Sequence, residues 1–349
     1  MNFDYKPLAN YSLEDRNTLG FDVVAEWALP ITQAEQIPAA ILWARNAGLP
    51  HRVLGGGSNV VLPDQLQGVT LLMDIDFIEV LEIRDSNTRL RVGGGVNWHT
   101  FVRWTLDQNY RGLENLALIP GTVGAAPIQN IGAYGVEVKE YIDLVEAYDC
   151  QTNQWVSLSK KDCRFAYRHS VFKDEPNRFV ITAVIFDLPK EWQPRVSYSD
   201  LTNYFTNRAI ETIAAQEIFD AVCAIRTQKL PDPKVIGNVG SFFQNPVISN
   251  QQLRSLKAQF PQIVSYPESA THSKLAAGWL IDQCGFKGMQ MDNVGVHDKQ
   301  ALVLTHRGGG NASELLKLAR QIQKKVKETF GVELVVEPMI INGSASLQS

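Results

Sequence analysis

Three side chains in this sequence are of types and in settings that could handle charge or a proton: Ser241 in "GNVGSFFQNP", Arg168 in "YRHSVFK" and Glu337 in "VELVVEPMII". Ser241 sits in a bend with Gly237 and Gly240 before it and Phe242 and Phe243 behind it. No neighbour in that stretch could take its proton, so it does not read as the nucleophile of a hydrolase. The heptapeptide groups Tyr167, Arg168, His169, Ser170 and Lys173 between apolar runs, which suits either a charged turn facing water or an anion site. "RTQKLPDPK" adds Arg226, Lys229 and Lys234 just ahead of the serine bend. Basic groups there suit a phosphorylated or carboxylated substrate, because guanidinium binds such groups bidentately; structural salt bridges are the alternative. Glu337 interrupts an apolar run, which is costly unless the carboxylate is paired, functional or on an edge facing water.

Glycines form the second pattern. Gly55–Gly57 and Gly93–Gly95 are triplets, and Gly121, Gly124, Gly132 and Gly135 punctuate "GTVGAAPIQNIGAYG". Without a Cβ, consecutive N–H groups can close on a phosphate, so such loops suit a dinucleotide cofactor or tight turns. The first triplet lies between strand-like "PHRVL" and "VVLPD", and Val60 stands where a helix-opening dinucleotide fingerprint needs its third glycine. A Rossmann motif is therefore disfavoured.

The elements that must hold these residues follow from periodicity. "ITQAEQIPAAILWARNAG" has helical spacing and stops at Gly48; "VTLLMDI", "IEVLEI" and "RLRVGGG" read as strands. In "NWHTFVRWTLDQN", Trp98, Phe101, Val102 and Leu106 make one helical face. The 112–138 stretch, broken by Pro120 and Pro127, reads as loop with short turns, after which "DLVEAYD", "QWVSL" and "RFVITAVIFDL" resume strand character with "CQTN" as a hairpin connection. Beyond about residue 220 helices are expected in "EIFDAVCAIRTQK", "NQQLRSLKAQF", "SKLAAGWLIDQCG" and "ASELLKLARQIQKKVKETFG", with strands at "QALVLT" and "VELVVEPMII". Asn311 and Glu314 are spaced as a capping box, and Gly285 stops the third helix. The sum is an α+β C-terminal domain after a mixed N-terminal part.

At 349 residues with 45% hydrophobic and 20% charged composition, the chain has room for two or three domains. A net charge of -4 gives no electrostatic reason to expect nucleic acid or a membrane surface. Cys150, Cys163, Cys223 and Cys284 are scattered without a CxxC pair and are expected as reduced, buried thiols. The six histidines show no ligand spacing, so no metal is expected. "MNFDYKPLAN" lacks a signal pattern, and no 18 apolar residues run together, so a soluble cytoplasmic protein is expected.

With these residues in hand, the sequence resembles the UDP-N-acetylenolpyruvoylglucosamine reductase family. The matching stretches are "LGGGSNV", "GLENLALIPGTVGAAPIQNIGAYGVEV", "CRFAYRHSVFK", "TQKLPDPK", "GNVGSFFQNPV", "KLAAGWLIDQCGFKGMQ" and "QALVLT", in the family's order and over nearly the whole chain. The resemblance implies an α+β fold: two FAD-binding subdomains of the vanillyl-alcohol oxidase type, residues 1–75 and 76–219, then a substrate-binding domain, 220–349, whose last strand returns to the active site. It implies bound FAD, held by Gly55, Gly56, Gly57, Ser58, Asn59, Gly121, Thr122, Gly124, Asn130, Gly132 and Ala133. It implies NADPH as cosubstrate, leaving before the enolpyruvyl UDP-sugar binds at the same face. In the implied reaction, part of bacterial peptidoglycan precursor synthesis, hydride from the flavin adds to the terminal enolpyruvyl carbon and Ser241 protonates the adjacent carbon.

Arg168 and Glu337 are the implied partners of the charge that develops there, the glutamate helping only as a donor. Tyr198, Arg226, Lys229, Asn245 and Gln300 are the implied contacts to the sugar nucleotide, and Tyr198 in "VSYSDL" marks the longer form of the family. Two departures stand out. Ala125 and Ala126 replace hydroxyls found in some relatives, so phosphate contact there would have to come from backbone N–H groups; Met339 replaces a second acid. A monomer acting on small molecules is expected. A flavin-dependent sugar or alcohol oxidase and a flavin-free UDP-sugar-binding protein are the competing readings; Ser241, Arg168 and Glu337 together argue against the first.

Overall fold

In a computed structural model the described residues are 6–341. They form two compact units that are not consecutive stretches of chain. The first takes in the chain up to Tyr11, Ala25–Gly57 and Gln67–Gln228; the second takes in Ser12–Val24, Ser58–Leu66 and the chain from Lys229.

The first unit is built on two sheets. A four-stranded one runs in the order Leu8–Ser12, Val24–Ile31, Gln65–Met73, His51–Leu54. The helix Gln36–Asn46 buries Ile37, Ala40, Ile41 and Ala44, the helical spacing read from the sequence, in a core shared with Leu29, Ile31, Val69 and Leu71. A five-stranded sheet runs Gln154–Ser159, Ile142–Asp149, Phe179–Pro189, Asn87–Gly93, Ile78–Ile83, and all its pairings are antiparallel. Asn97 caps the helix Trp98–Asp107 by accepting from Thr100 N–H at 3.0 Å. That helix buries Trp98, Phe101 and Val102 as expected, but Thr105 takes the fourth inward place, its hydroxyl satisfied by Val102 O at 2.8 Å. Leu106 is only partly buried beside that core.

The second unit holds a four-stranded sheet in the order Gly237–Ser241, Val303–His306, Val294–Val296, Gln290–Met291. A three-stranded sheet, Val247–Ser249, His272–Leu275, Ser265–Pro267, and the helices Asn250–Gln259, Ala277–Gln283 and Ala312–Phe330 complete it. In the last helix Asn311 accepts from Glu314 N–H at 3.2 Å, and Gly331 closes it in the left-handed region.

Two expected elements differ. The helix expected from residue 273 begins at Ala277, because Ser273 and Leu275 alternate inward as part of a strand and the Asn245 side chain caps Ala277 N–H at 2.9 Å. The strand expected over 332–341 shrinks to Met339–Ile340, paired in parallel with Val60–Val61, plus an isolated bridge from Val336 to Phe243. Pro338 has no N–H to give a ladder. The Gln323 amide takes the Leu334 carbonyl at 2.8 Å. Among the described residues no helix is long and apolar enough to cross a membrane. All four cysteines are free, and burial pushes the Cys150 thiol up to about 11 and the Cys163 thiol up to about 12.

Candidate active site

In the first unit the glycine loops close on one another. A Cβ on Gly56 would lie 3.0 Å from the Gly121 Cα, and one on Gly124 would lie 2.9 Å from the Gly94 backbone, so these positions require glycine for close approach. The 93–98 and 121–124 segments are laced by Trp98 N–H to Gly121 O at 3.0 Å, Val123 N–H to Val96 O at 2.9 Å and Gly124 N–H to Gly94 O at 2.9 Å. The second triplet is therefore scaffold: the N–H groups of Gly93, Gly94 and Gly95 donate to Phe77, Thr182 and Ile75 carbonyls, which removes it as an anion nest. Ala125 and Ala126 likewise donate to Thr122 and Val123 carbonyls at 3.1 Å, so the backbone contact to phosphate expected there is not on offer.

What the loops do offer is Thr122. Its hydroxyl is buried beside Gly55 and has no hydrogen-bond partner among the described residues. An orphaned hydroxyl in a cradle of close-packed glycines fits a phosphate-bearing cofactor, because a buried polar group is otherwise left unsatisfied. Gly57 ends the first unit's part of "GGGSN" in the left-handed region at φ 58°, while Ser58 and Asn59 belong to the second unit, where Asn59 O accepts from Met339 N–H at 2.9 Å. Asn130, expected among the cofactor residues, has both ends of its amide committed to protein: it donates to Ala166 O at 3.0 Å and accepts from Lys139 N–H at 3.1 Å.

That brace explains the "YRHS" loop. Ala166 and His169 bridge each other, Arg168 turns the corner at φ 52°, and Ser170, fully buried, donates to Ile128 O. Arg168 then reaches Gly132 O at 2.9 Å, and a Cβ on Gly132 would sit 3.2 Å from its guanidinium; Ala133 pairs with Val136 to close the loop. His169 and Arg164 pair with Asp174 at the loop's outer side, as a charged turn would.

Near Arg168 the unit gathers a second cation. Burial pulls the Arg226 guanidinium below its ordinary value, and repulsion from Arg168 adds to that, while a hydrogen bond from the Tyr134 side works the other way. Arg226 Nε is buried without a partner among the described residues. Tyr134 is pushed up to about 12, chiefly by burial. Its ring meets that of Tyr198 edge-on, centroids 5.4 Å apart at 77°. Tyr198 is half-exposed and begins the helix Ser199–Tyr204 as its N-cap residue.

The second unit carries Ser241, Glu337, Asn245 and Gln300. Ser241 is exposed at the end of its strand, paired with Val303, and the register slips between Asn238 and Ser241. Phe242 and Phe243 behind it are buried, as read from the sequence. Phe242 O accepts from Glu337 N–H at 2.9 Å, which sets the Glu337 backbone beside the residue following the serine. Gln300 Oε1 accepts from Leu302 N–H at 3.3 Å and lies 2.8 Å from where a Cβ on Gly278 would be. Lys229 is exposed as the last residue of the helix Ala215–Lys229.

Periodicity missed the residue that makes this bend. Asn238 donates from Nδ2 to Pro231 O at 3.2 Å and Ile236 O at 2.9 Å, and its Oδ1 accepts from Gly240 N–H at 3.0 Å. Its backbone is clamped by Thr18 through Asn238 N–H to Thr18 O at 2.8 Å and Thr18 Oγ1 to Asn238 O at 2.6 Å. Asn238 thus ties the "KLPDP" loop to the bend before the serine. Gly240 takes φ 70°; Gly237 is required because a Cβ there would run into the Leu19 carbonyl oxygen. The usable signal was an asparagine between two glycines, a side chain that bonds its own backbone.

Comparison with known proteins gives the family. Residues 28–156 match a family model described as an FAD binding domain, and residues 231–341 match the C-terminal domain of UDP-N-acetylenolpyruvoylglucosamine reductase. The chain is 58% identical over 332 residues to the UDP-N-acetylenolpyruvoylglucosamine reductase of Polynucleobacter asymbioticus, covering 95% of this chain and 96% of the relative. It is 51% identical to that of Paraburkholderia xenovorans, covering 96% and 97%. The crystal structure of the Thermus caldophilus reductase shares the fold, with a TM-score of 0.66 at 21% identity over 96% of this chain and 98% of that one. Fold and site define a flavoprotein oxidoreductase of α+β architecture that binds FAD. The chain belongs to the UDP-N-acetylenolpyruvoylglucosamine reductase family.

Proposed function

We propose that this enzyme reduces UDP-N-acetyl-3-O-(1-carboxyvinyl)-glucosamine to UDP-N-acetylmuramate with NADPH, as a cytoplasmic monomer with no nucleic-acid or membrane partner. The observation that carries the reading is the Gly240–Ser241 bend: an exposed hydroxyl on a braced backbone, one residue from the chain that brings Glu337. Residues 1–75 and 76–219 are taken as the FAD-binding portion and 220–349 as the substrate-binding portion.

When bound, FAD would supply hydride transfer, from NADPH to the terminal carbon of the enolpyruvyl double bond. Negative charge then develops on the adjacent carbon and its carboxylate, where Arg168 stabilises it through preorganised charge. Glu337 is assigned to the same charge, where its role is that of a hydrogen-bond donor. Ser241 gives its hydroxyl proton to that carbon; a carbanion is basic enough to take a proton from a weak acid held in reach. Being exposed, Ser241 regains its proton from water, which balances the reaction. Gly55–Gly57, Ser58, Asn59, Gly121, Thr122, Gly124, Gly132 and Ala133 are assigned to the cofactor site, and Asn130 serves it by bracing the loop rather than by offering its amide. Of these, the Thr122 hydroxyl is the side chain best suited to a phosphate. Arg226, Lys229, Tyr198, Asn245 and Gln300 are assigned to the sugar nucleotide, with Arg226 and Lys229 opposite its diphosphate.

The test is anaerobic stopped-flow absorbance at the flavin band. Bleaching by NADPH and recovery on adding the enolpyruvyl UDP-sugar is the expected result. Recovery that needs oxygen instead would make the enzyme an oxidase.

A further inference from the structure

The segment that carries the flavin-site glycines also holds two buried polar side chains that the proposed chemistry does not use. Glu114 is 1% exposed and Asn115 0%. Their partners lie far along the chain, in the stretch that leads into Tyr198. Trp192 Nε1 donates to Glu114 at 2.5 Å, and the other Glu114 oxygen accepts from Gly112 N–H at 2.7 Å. Asn115 Nδ2 donates to Arg195 O at 2.8 Å and to Tyr134 O at 3.1 Å. The Arg195 guanidinium pairs with Glu140, and the Arg111 guanidinium lies 5.6 Å over the Trp192 ring.

One amide nitrogen therefore holds two backbones whose side chains meet. Tyr134 is fixed through its own carbonyl, and Tyr198 lies three residues past the fixed carbonyl of Arg195. Three residues of chain make a tether of at most about 10 Å. The two rings meet edge-on, and the Tyr134 side chain is an electrostatic neighbour of Arg226. A tyrosine pinned this close to its contact loses little conformational freedom when a ligand arrives, which strengthens binding without new contacts.

We propose that Asn115, supported by Glu114, is a positioning residue for the sugar nucleotide: it straps the 192–195 segment down and so sets where Tyr198 stands beside Tyr134 and Arg226. This rests on the reading that Tyr198 and Arg226 contact the sugar nucleotide. Removing the strap costs ground-state and transition-state binding alike, so it appears in KM for the sugar far more than in kcat.

The experiment compares Asn115→Ala, Tyr198→Ala and the double variant as FAD-loaded enzymes, with KM for the sugar, KM for NADPH and calorimetric affinity for UDP-N-acetylglucosamine as readouts. Asn115→Ala should raise the sugar KM and weaken the calorimetric affinity about tenfold, the worth of one to two buried hydrogen bonds, with KM for NADPH unchanged. In the Tyr198→Ala background it should add nothing. A sugar KM untouched by Asn115→Ala but raised by Tyr198→Ala overturns the strap. A sugar KM untouched by Tyr198→Ala removes the underlying assignment of that tyrosine instead. If Asn115→Ala does not fold, Glu114→Gln and Trp192→Phe take its place, since both stay close to the native shape; each should raise the sugar KM about threefold at unchanged FAD content. Loss of FAD, or equal rises in both KM values, overturns the strap.

Discussion

Arg168 and Ser241 are brought into place in contrasting ways. Arg168 stands at a left-handed corner, φ 52°, of a loop held by side chains: Asn130 takes Ala166 O, Ser170 takes Ile128 O, and the guanidinium itself takes Gly132 O. The segment it contacts carries further residues of positive φ, Leu118, Gly121, Asn130 and Tyr134. Ser241 stands at the end of a strand, and its surroundings are joined mainly backbone to backbone: Phe242 N–H to Leu302 O, Glu337 N–H to Phe242 O, Gln244 N–H to Val335 O. A loop of left-handed residues can wrap a bulky cofactor, but each corner is costly and must be over-determined by its neighbours. A strand end offers one side chain at a fixed register and tolerates little else.

That contrast predicts how each region breaks. Ser241→Ala removes the proposed proton donor, so reoxidation of reduced flavin by the enolpyruvyl sugar should slow by about three powers of ten while reduction by NADPH stays normal. A slow NADPH half-reaction in that variant would remove the serine from the proton step. Arg168→Ala should also fall more heavily on the sugar half-reaction, by about two powers of ten. Equal losses in both half-reactions would make Arg168 a brace.

Glycine substitutions sharpen the contrast. In Gly124→Ala the new methyl meets the Gly94 backbone at 2.9 Å. A loss of about 1–3 kcal/mol with weakened FAD retention is therefore expected in thermal unfolding and flavin-release assays. In Gly240→Ala the methyl has nothing within 4 Å, but the residue must hold φ 70°. That backbone strain costs about 1 kcal/mol. Its damage should show in the sugar half-reaction with FAD retained. If Gly240→Ala loses FAD and Gly124→Ala does not, the division of labour is reversed.

The smallest effect is one of pH. Burial raises the Glu114 carboxyl above the ordinary glutamate range, against its hydrogen bonds to Gly112 N–H and Trp192. The folded state thus holds that proton more tightly than the unfolded chain. Stability should be greatest below the unfolded value and fall as pH rises through the raised one. Glu114→Gln should flatten that part of a denaturant-unfolding profile, and an unchanged slope would assign it to other carboxyls.

Much of the fold was legible. Ile37, Ala40, Ile41 and Ala44 announced their helix by spacing, the strand Ile78–Ile83 coincides with "IEVLEI", and the two phenylalanines behind Ser241 are buried as their setting implied. The "SKLAAGW" stretch misled because the end of a strand precedes the helix, and a window of small and apolar residues does not separate the two periods. The candidate site was legible as a list of motifs and less so as a set of contacts. Gly93–Gly95 look like Gly55–Gly57 in composition, and what distinguishes the later triplet is that its N–H groups are taken by Phe77, Thr182 and Ile75.

The sequence by itself determined most of the periodic elements, because these depend on residue type and short-range spacing, and its motifs carried the resemblance to a flavin-binding family. Tertiary structure alone decided that residues 12–24 fold with the C-terminal chain, that Thr18 clamps the backbone of Asn238 before the serine bend, that Asn130 is a loop brace, and that Asn115 joins Tyr134 to Arg195. Each of those rests on hydrogen bonds between groups far apart in the chain, and a polar side chain's choice of distant partner leaves no periodic trace in the sequence.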